Sequence, residues 1–435
     1  MSWKDFTQNK WTKFIFWALL YLVWVIWLGN FWWLLGLGVI FDIFITRKVH
    51  WNFWKKRYKE GEKHSGWNEW LDAVIFAVIV VTFINIFFFQ AFKIPSSSME
   101  SSLYTGDQLF VSKLAFGPRV PQTPLTVPFT HNTIFGKKSY STLIQNKYRR
   151  LKGFRHVKRG DYVVFGYPNG DTVLRNDPQG DYYAYVRRLG KESVARMGGI
   201  ITRPVDKKDF YVKRCVAIPG DTLEVRDGLV WVNGEKQPVY PGVQYSYQVR
   251  TDGHKLNAKM LEKLDIAPSK AYFDPTLPGY QVLLLTEEKL EEVRKLPIVQ
   301  SVALRLDTDP KACALDIFPF TQDSGWTRDF FGPLWIPRKG ATVPLTQDNV
   351  ALYKRIITTY EGGDLEQALR EGSYTFKQDY YFMMGDNRHD SSDSRYFGFV
   401  PEDHIAGRPA VIWLSLDREK RFPHNIRWRR FLKFL

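Results

Sequence analysis

Ile94-Pro95-Ser96-Ser97-Ser98-Met99-Glu100-Ser101-Ser102-Leu103, closing on Gly106-Asp107, is the stretch around which this chain is organised. It starts where an apolar run ends, so its backbone is free to form a loop just outside a membrane. Serine-rich loops are most often solvated linkers. A serine hydroxyl attacks a carbonyl only with a base beside it, because it is a weak nucleophile at its free pKa. The remaining residues either supply that base or leave the loop a linker.

Upstream, residues 14–45 are almost wholly apolar. That is long for one span of about 20 residues and short for two. Lys4, Lys10 and Lys13 precede the run, and Arg47, Lys48, Lys55, Lys56, Arg57 and Lys59 follow it. Positive charge at both ends puts both flanks in the cytoplasm, which makes Gly29-Asn30 the turn of a tight helical hairpin. One tilted helix is the alternative. The apolar core is too long for a cleavable signal peptide, and Asp42 within it requires a partner or the interface. Ala73–Phe92 reads as a further span, with Thr82, Asn85 and Gln90 on one face for helix packing. Everything after Phe92 then lies on the extracytoplasmic side.

With 435 residues the chain holds two or three units, and 45% hydrophobic content provides for a core. A net charge of +16 suits nucleic acid or an anionic membrane surface. Zinc-like spacing, a Gly-rich phosphate loop and an Arg-rich recognition helix are all missing from the sequence, which argues for lipid and against nucleic acid. Cys215 and Cys313 are too few for a disulfide framework.

From Asp107 onward short β-branched and aromatic runs alternate with Gly and Pro, at 108–114, 161–165, 210–218 and 380–384. Runs 222–226 and 229–232 flank Asp227-Gly228, a strong hairpin signal. The expected fold is a mainly β extracytoplasmic domain of antiparallel sheets with an inserted cap domain, anchored by amino-terminal transmembrane helices. Its parts are cytoplasmic ends and hairpin (1–66), a transmembrane helix (67–92), a catalytic core in two pieces (93–233 and 379–417), a cap (234–378) and a tail (418–435). Helices are expected at 287–296 and 347–360, N-capped by Thr286 and Thr346, and a smaller insertion at 170–208. The tail carries seven Lys/Arg against one acid, interleaved with aromatics, as suits an anionic lipid surface.

The candidate base is Lys213. Burial disfavours an ammonium, and a neutral amine can take a serine proton. Lys213 and Arg214 face opposite sides of a strand, so one of them points inward. In Gly385–Arg395, Asp393 and Arg395 read as a bracing ion pair. Ser391 or Ser392 can hydrogen-bond an uncharged lysine amine. A Ser/His/Asp triad using His389 with Asp386 or Asp393 is the competing arrangement.

Taken together, Ser98-Met99, Gly160-Asp161-Tyr162-Val163-Val164-Phe165, Tyr211-Val212-Lys213-Arg214 with Pro219-Gly220-Asp221, and Gly385-Asp386-Asn387-Arg388 through Asp393-Ser394-Arg395 resemble the ordered motif boxes of bacterial type I signal peptidases. The resemblance covers about 73–165, 210–235 and 380–413. It implies Ser98 as nucleophile, Lys213 as general base, and the Ser96 hydroxyl with the Ser98 N–H as oxyanion hole. It further implies Ser391 as the lysine-orienting serine, Asp393, Arg395 and Arg214 as structural support, and Met99 in the substrate cleft. No metal and no cofactor are implied. The implied partners are preproteins with small residues at −1 and −3, and the lipid bilayer of the cytoplasmic (inner) membrane, crossed more than once. One departure is Ser101-Ser102, where the family often has Pro-Thr. The alternatives are a Ser/Lys peptidase maturing one dedicated exported protein, or a membrane-tethered binding module without enzymatic activity.

Overall fold

The computed structural model describes residues 9–49, 66–264, 266, 270–273, 279–417 and 420–435. Lys4 and the basic residues of 51–65, on which the hairpin's orientation was read, lie outside the described residues. Asn9 caps the helix Lys10–Leu28 by accepting from the Trp11 N–H, and Gly29 ends it with φ of 61°. The chain then turns back. Trp11 and Phe14 lie edge-on to Phe41, and the Tyr21 hydroxyl donates to the Trp33 carbonyl at 2.6 Å. Asp42 meets its own chain: its carboxylate accepts from the Thr46 hydroxyl and from the N–H groups of Lys48 and Val49 at 3.0 Å each. Lys10–Leu28 and Glu69–Phe87 are long and apolar enough to cross a membrane, with only 17% and 6% of these stretches buried in the protein. Such exposure is compatible with membrane anchoring, since a soluble core helix buries most of its apolar surface.

The second apolar run is shorter as a helix than its composition suggests. The helix ends at Phe87, and Phe89–Lys93 is a β-strand paired antiparallel with Asp107–Ser112. Gln90 therefore lies on a strand and not on the Thr82–Asn85 helix face. A continuous apolar run suits either element, and here the partner strand decides.

The largest sheet has eight strands among the described residues. In spatial order its main path runs Phe89–Lys93, Asp107–Ser112, Ile405–Ser415, Tyr162–Gly166, Phe210–Ala217, Tyr380–Met384 and Val400–Pro401. Phe210–Ala217 is thus interior, with Val163 opposite Lys213 on one side and Met384 opposite Arg214 on the other. Thr222–Arg226 and Leu229–Val232 form the expected hairpin, and Asp227 and Gly228 take φ of 52° and 76°, as a type I′ turn requires.

The stretch 234–378 divides in two. Gln244–Thr251, Ala271–Phe273, Tyr280–Thr286 and Val299–Leu304 make a separate four-stranded sheet with its own core around Val249, Leu283 and Val293. Thr286 caps the helix Glu287–Arg294 as the sequence suggests. By contrast, Phe331–Trp335 pairs with Thr222–Arg226, and Tyr353, Ile356 and Phe376 pack into one cluster with Val216 and Phe382. That second part shares a core with Thr222–Arg226 and Tyr380–Met384. Its helix starts at Val350, and Thr346 does not cap it; the Thr346 N–H instead donates to Asn349 at 2.9 Å. Cys215 and Cys313 are both free.

The tail is fastened as well as basic. Lys433–Phe434 pairs with Val411–Ile412, and the buried Arg430 guanidinium grips Asp107 at 2.5 and 3.1 Å and the Ser102 carbonyl at 3.0 Å. Trp428, Phe431, Leu432 and Phe434 stay exposed. Removing one partner of a buried pair strands the other charge at about 3–5 kcal/mol, whereas neutralising both costs far less. Arg430→Met is therefore expected to lower unfolding stability by that amount, and adding Asp107→Asn to recover most of it, as read by thermal unfolding in detergent.

Candidate active site

The loop 94–106 sits on three apolar feet, Ile94, Met99 and Leu103, each at most 3% exposed. Its turns are closed by Glu100 N–H to Ser97 carbonyl at 2.8 Å and Leu103 N–H to Met99 carbonyl at 2.7 Å. This holds Ser98 on the wall of a cleft of about 890 Å³, with Gln90–Met99 on one side and Asp209–Lys213 with Asp390–Ser392 on the other.

Lys213 is 3% exposed, and its Nζ donates a hydrogen bond to Ser98 Oγ. Burial first, and the Arg395 cation second, push its pKa down to about 8, against an opposing pull from Asp393, Asp386 and Asp390. Ser96 Oγ lies 3.4 Å from Ser98 Oγ. Ser391 lines the same cleft, and its buried hydroxyl has no hydrogen-bond partner among the described residues. Met99 contributes to the cleft from beneath; it is 1% exposed, and its sulfur accepts from the Asp386 N–H at 3.4 Å.

Arg214 turns to the other face of the strand. It makes a two-pronged bond to Asp386 at 2.8 and 2.5 Å and donates to the Gly160 carbonyl and the Tyr162 hydroxyl. Ser102 adds a 2.5 Å hydrogen bond to the same carboxylate, so the serine loop and the lysine strand share one anchor. Asp393 accepts from Arg395 at 2.9 and 2.8 Å and from the Gly385 N–H at 3.0 Å; Arg395 also donates to the Arg388 carbonyl. All three are fully or nearly fully buried.

The Ser/His/Asp alternative is not assembled. His389 Nδ1 accepts from the Ser246 N–H at 3.0 Å and Nε2 meets Asp329 at 2.9 Å, while burial lowers its pKa. Asp386 and Asp393 are engaged by Arg214 and Arg395. His389 instead ties the motif loop to the four-stranded module, as does Gln244, whose N–H donates to the Asp386 carbonyl and whose carbonyl accepts from the Arg388 N–H. Neither tie has a sequence signal, since the partners stand some 140 positions apart. Among the described residues no three His, Cys, Asp or Glu side chains converge as a metal site.

The Ser101-Ser102 departure has a structural cause. Ser101 has φ of 73°, and its hydroxyl donates to Gln244 at 3.0 Å. Proline, locked near φ of about −65°, cannot occupy that conformation.

A family model described as signal peptidase, peptidase S26, matches residues 67–288 and 339–414. Signal peptidase I of Haemophilus influenzae is 26% identical over 370 residues, covering 84% of this chain and 74% of that protein. Signal peptidase I of Helicobacter pylori strain J99 is 23% identical over 380 residues, at 84% and 91% coverage. That of Buchnera aphidicola subsp. Acyrthosiphon pisum is 20% identical over 405 residues, at 92% and 93%.

Gly385 packs closely against both Ser391 and Ser98. A Cβ there would stand 2.1 Å from Ser391 Oγ and 2.6 Å from the Ser98 carbonyl oxygen. Gly385→Ala is expected to displace both serines and lower kcat by about 100-fold, the effect of misplacing reacting groups by about 1 Å. Steady-state kinetics on a preprotein, with circular dichroism to follow the fold, checks it.

Proposed function

The chain belongs to the signal peptidase family, peptidase S26, and from that membership we propose that Ser98 and Lys213 are the pair with which it cleaves signal peptides from preproteins. The enzyme is a serine endopeptidase. The observation that carries the pair is a lysine 3% exposed, with a pKa pushed down to about 8, donating to the hydroxyl of Ser98. With a pKa of about 8, about a tenth of the amine is neutral at pH 7, and that fraction has a lone pair for the serine proton.

Ser98 Oγ attacks the scissile carbonyl as Lys213 Nζ takes its proton. The Ser98 N–H and the Ser96 hydroxyl donate to the oxyanion, the charge that develops as the carbonyl becomes tetrahedral. The Lys213 ammonium returns the proton to the departing amine. A water then gives a proton to Lys213 as its oxygen attacks the acyl carbon, and Lys213 returns that proton to Ser98 Oγ as the ester bond breaks and the acid leaves. Ser391, with its unspent hydroxyl, orients the amine between the two steps. Asp393 with Arg395, and Arg214 with Asp386, keep the two loops in register.

The substrate is an extended segment lying along Phe89–Lys93, an edge strand. Alternate side chains of a strand face one way, so −1 and −3 meet the same wall. Phe92, Ile94, Val164 and Tyr211 line that wall and admit small side chains. We place the enzyme in the cytoplasmic membrane, crossing it more than once, with the catalytic domain on the outer side where cleavage sites emerge.

Ser98→Ala and Lys213→Met are each expected to reduce cleavage of a model preprotein by more than about 10³-fold. The wild-type rate should rise with pH through about 8, where Lys213 loses its proton. Equal activity of Lys213→Met and wild type across that range would overturn the assignment. The same shift has a sign for stability. Between pH of about 8 and the free value of 10.5 the unfolded chain binds the extra proton, so stability rises with pH across that window. At pH 7 the buried amine is a burden of about 3 kcal/mol, and Lys213→Met should unfold no earlier than wild type in thermal scans at that pH.

A further inference from the structure

A second cavity, of about 380 Å³, lies behind the strand Phe89–Lys93 and shares Gln90, Ala91, His131 and Phe210 with the catalytic cleft. Three cations converge on it: Lys113, Arg119 and Lys207. Arg119 spends one N–H on the Asp403 carbonyl at 2.8 Å, and Lys207 lies 5.5 Å from the centre of the Tyr140 ring. Lys113 makes no side-chain hydrogen bond or ion pair among the described residues. Burial, then Arg119 and Lys207, push its pKa down to about 7.

The only carboxylate lining this cavity, among the described residues, is Asp206. One of its oxygens is taken by the Thr123 N–H and hydroxyl at 2.9 Å each, and the other is buried without a partner. Three cations facing one carboxylate leave the cavity short of negative charge, a state that an occupying anion relieves.

The cavity's address narrows the anion. The Lys113 N–H donates to the Phe88 carbonyl at 2.8 Å, so the lysine stands one residue past the end of the apolar helix Gly66–Phe87. Thr82 and Asn85 of that helix line the cavity, and the buried Thr82 hydroxyl has no hydrogen-bond partner among the described residues. Val127 and Phe129 also line the cavity and are 45% and 63% exposed. A free phosphate needs no such apolar lining, whereas a lipid uses the helix face and this lining for its chains.

We propose that this cavity binds the phosphate of an anionic phospholipid, with the acyl chains running along Gly66–Phe87. The proposal rests on the membrane-anchored reading given above. It is read by binding and not by cleavage, so it fails or stands apart from the Ser98–Lys213 assignment. The phosphate oxygens accept from Lys113, Arg119 and Lys207, and Thr82 and Asn85 lie on the side toward the glycerol.

The full chain is placed in nanodiscs of phosphatidylcholine alone or with phosphatidylglycerol, and lysines are acetylated with a neutral amine-reactive ester and mapped by mass spectrometry. Lys113 is expected to be labelled in phosphatidylcholine and protected by phosphatidylglycerol, while the exposed Lys295 of the four-stranded module labels alike in both. In native mass spectrometry, Lys113→Gln with Arg119→Gln should retain phosphatidylglycerol roughly 25-fold less, at about fivefold per basic side chain near a lipid surface. Lys113→Gln alone should lose about fivefold, and thermal unfolding confirms that each variant is folded. Equal labelling of Lys113 in the two discs, or undiminished retention by a folded variant, overturns the proposal. Inorganic phosphate protecting Lys113 as well as the lipid does, at equal concentration, overturns the lipid as occupant.

Discussion

An ammonium group removed from water beside a hydroxyl is the constraint on which the rest of this structure depends. Exposed, Lys213 would stay charged at neutral pH and have no lone pair to give Ser98. The fold removes it from water by placing it in an interior strand, between Tyr162–Gly166 and Tyr380–Met384, and covering it with the 94–106 loop. The loop stays down because Ile94, Met99 and Leu103 are buried beneath it. The proposed nucleophile and base therefore arrive together: the packing that presents Ser98 is the packing that dries Lys213.

Buried ion pairs fix the parts that apolar packing leaves loose. Arg214–Asp386 joins the lysine strand to the motif loop, Arg395–Asp393 closes that loop, and Arg430–Asp107 fastens the tail beneath the serine loop. Pairs of this kind add little net stability, because desolvation consumes most of the Coulomb gain. Their geometry is exacting, however, and a guanidinium fork on a carboxylate sets direction as well as distance. Each pair bridges a turn or a gap in sequence at which a hydrophobic contact would tolerate sliding.

What the sequence disclosed follows from the range of each signal. Ser98, Lys213 and the Asp393–Arg395 pair stood in local motifs, and the period of a strand was enough to send Lys213 and Arg214 to opposite faces. Asp227-Gly228 announced its hairpin because a type I′ turn demands those residues. Illegible were the choices that depend on a distant partner. Phe89, Ala91 and Phe92 continue the apolar run of the helix before them, and only pairing with Asp107–Ser112 makes this segment a strand. Within 234–378, Phe331–Trp335 pairs with Thr222–Arg226 and Phe376 packs with Val216 and Phe382 through contacts the local sequence does not encode. His389 looked like a base and serves as a tie, because Ser246 and Asp329 reach it from elsewhere in the chain.

The charges near Lys213 explain why burial prevails. An unpaired carboxylate beside a lysine raises its pKa and holds the proton on, which would cancel the effect of desolvation. Asp393 is close enough to do so, and its pull on the Lys213 proton is the largest opposing influence. Yet Asp393 carries Arg395 as a partner, and the guanidinium pushes the other way. Asp386 is likewise held by Arg214. Each carboxylate needed to shape the motif loop thus brings its own cation, so the loop gains direction without adding a matching charge to the lysine's surroundings. Desolvation then decides, and the amine reaches a pKa of about 8, at which its neutral and ammonium forms are both accessible, as the proposed role of general base requires.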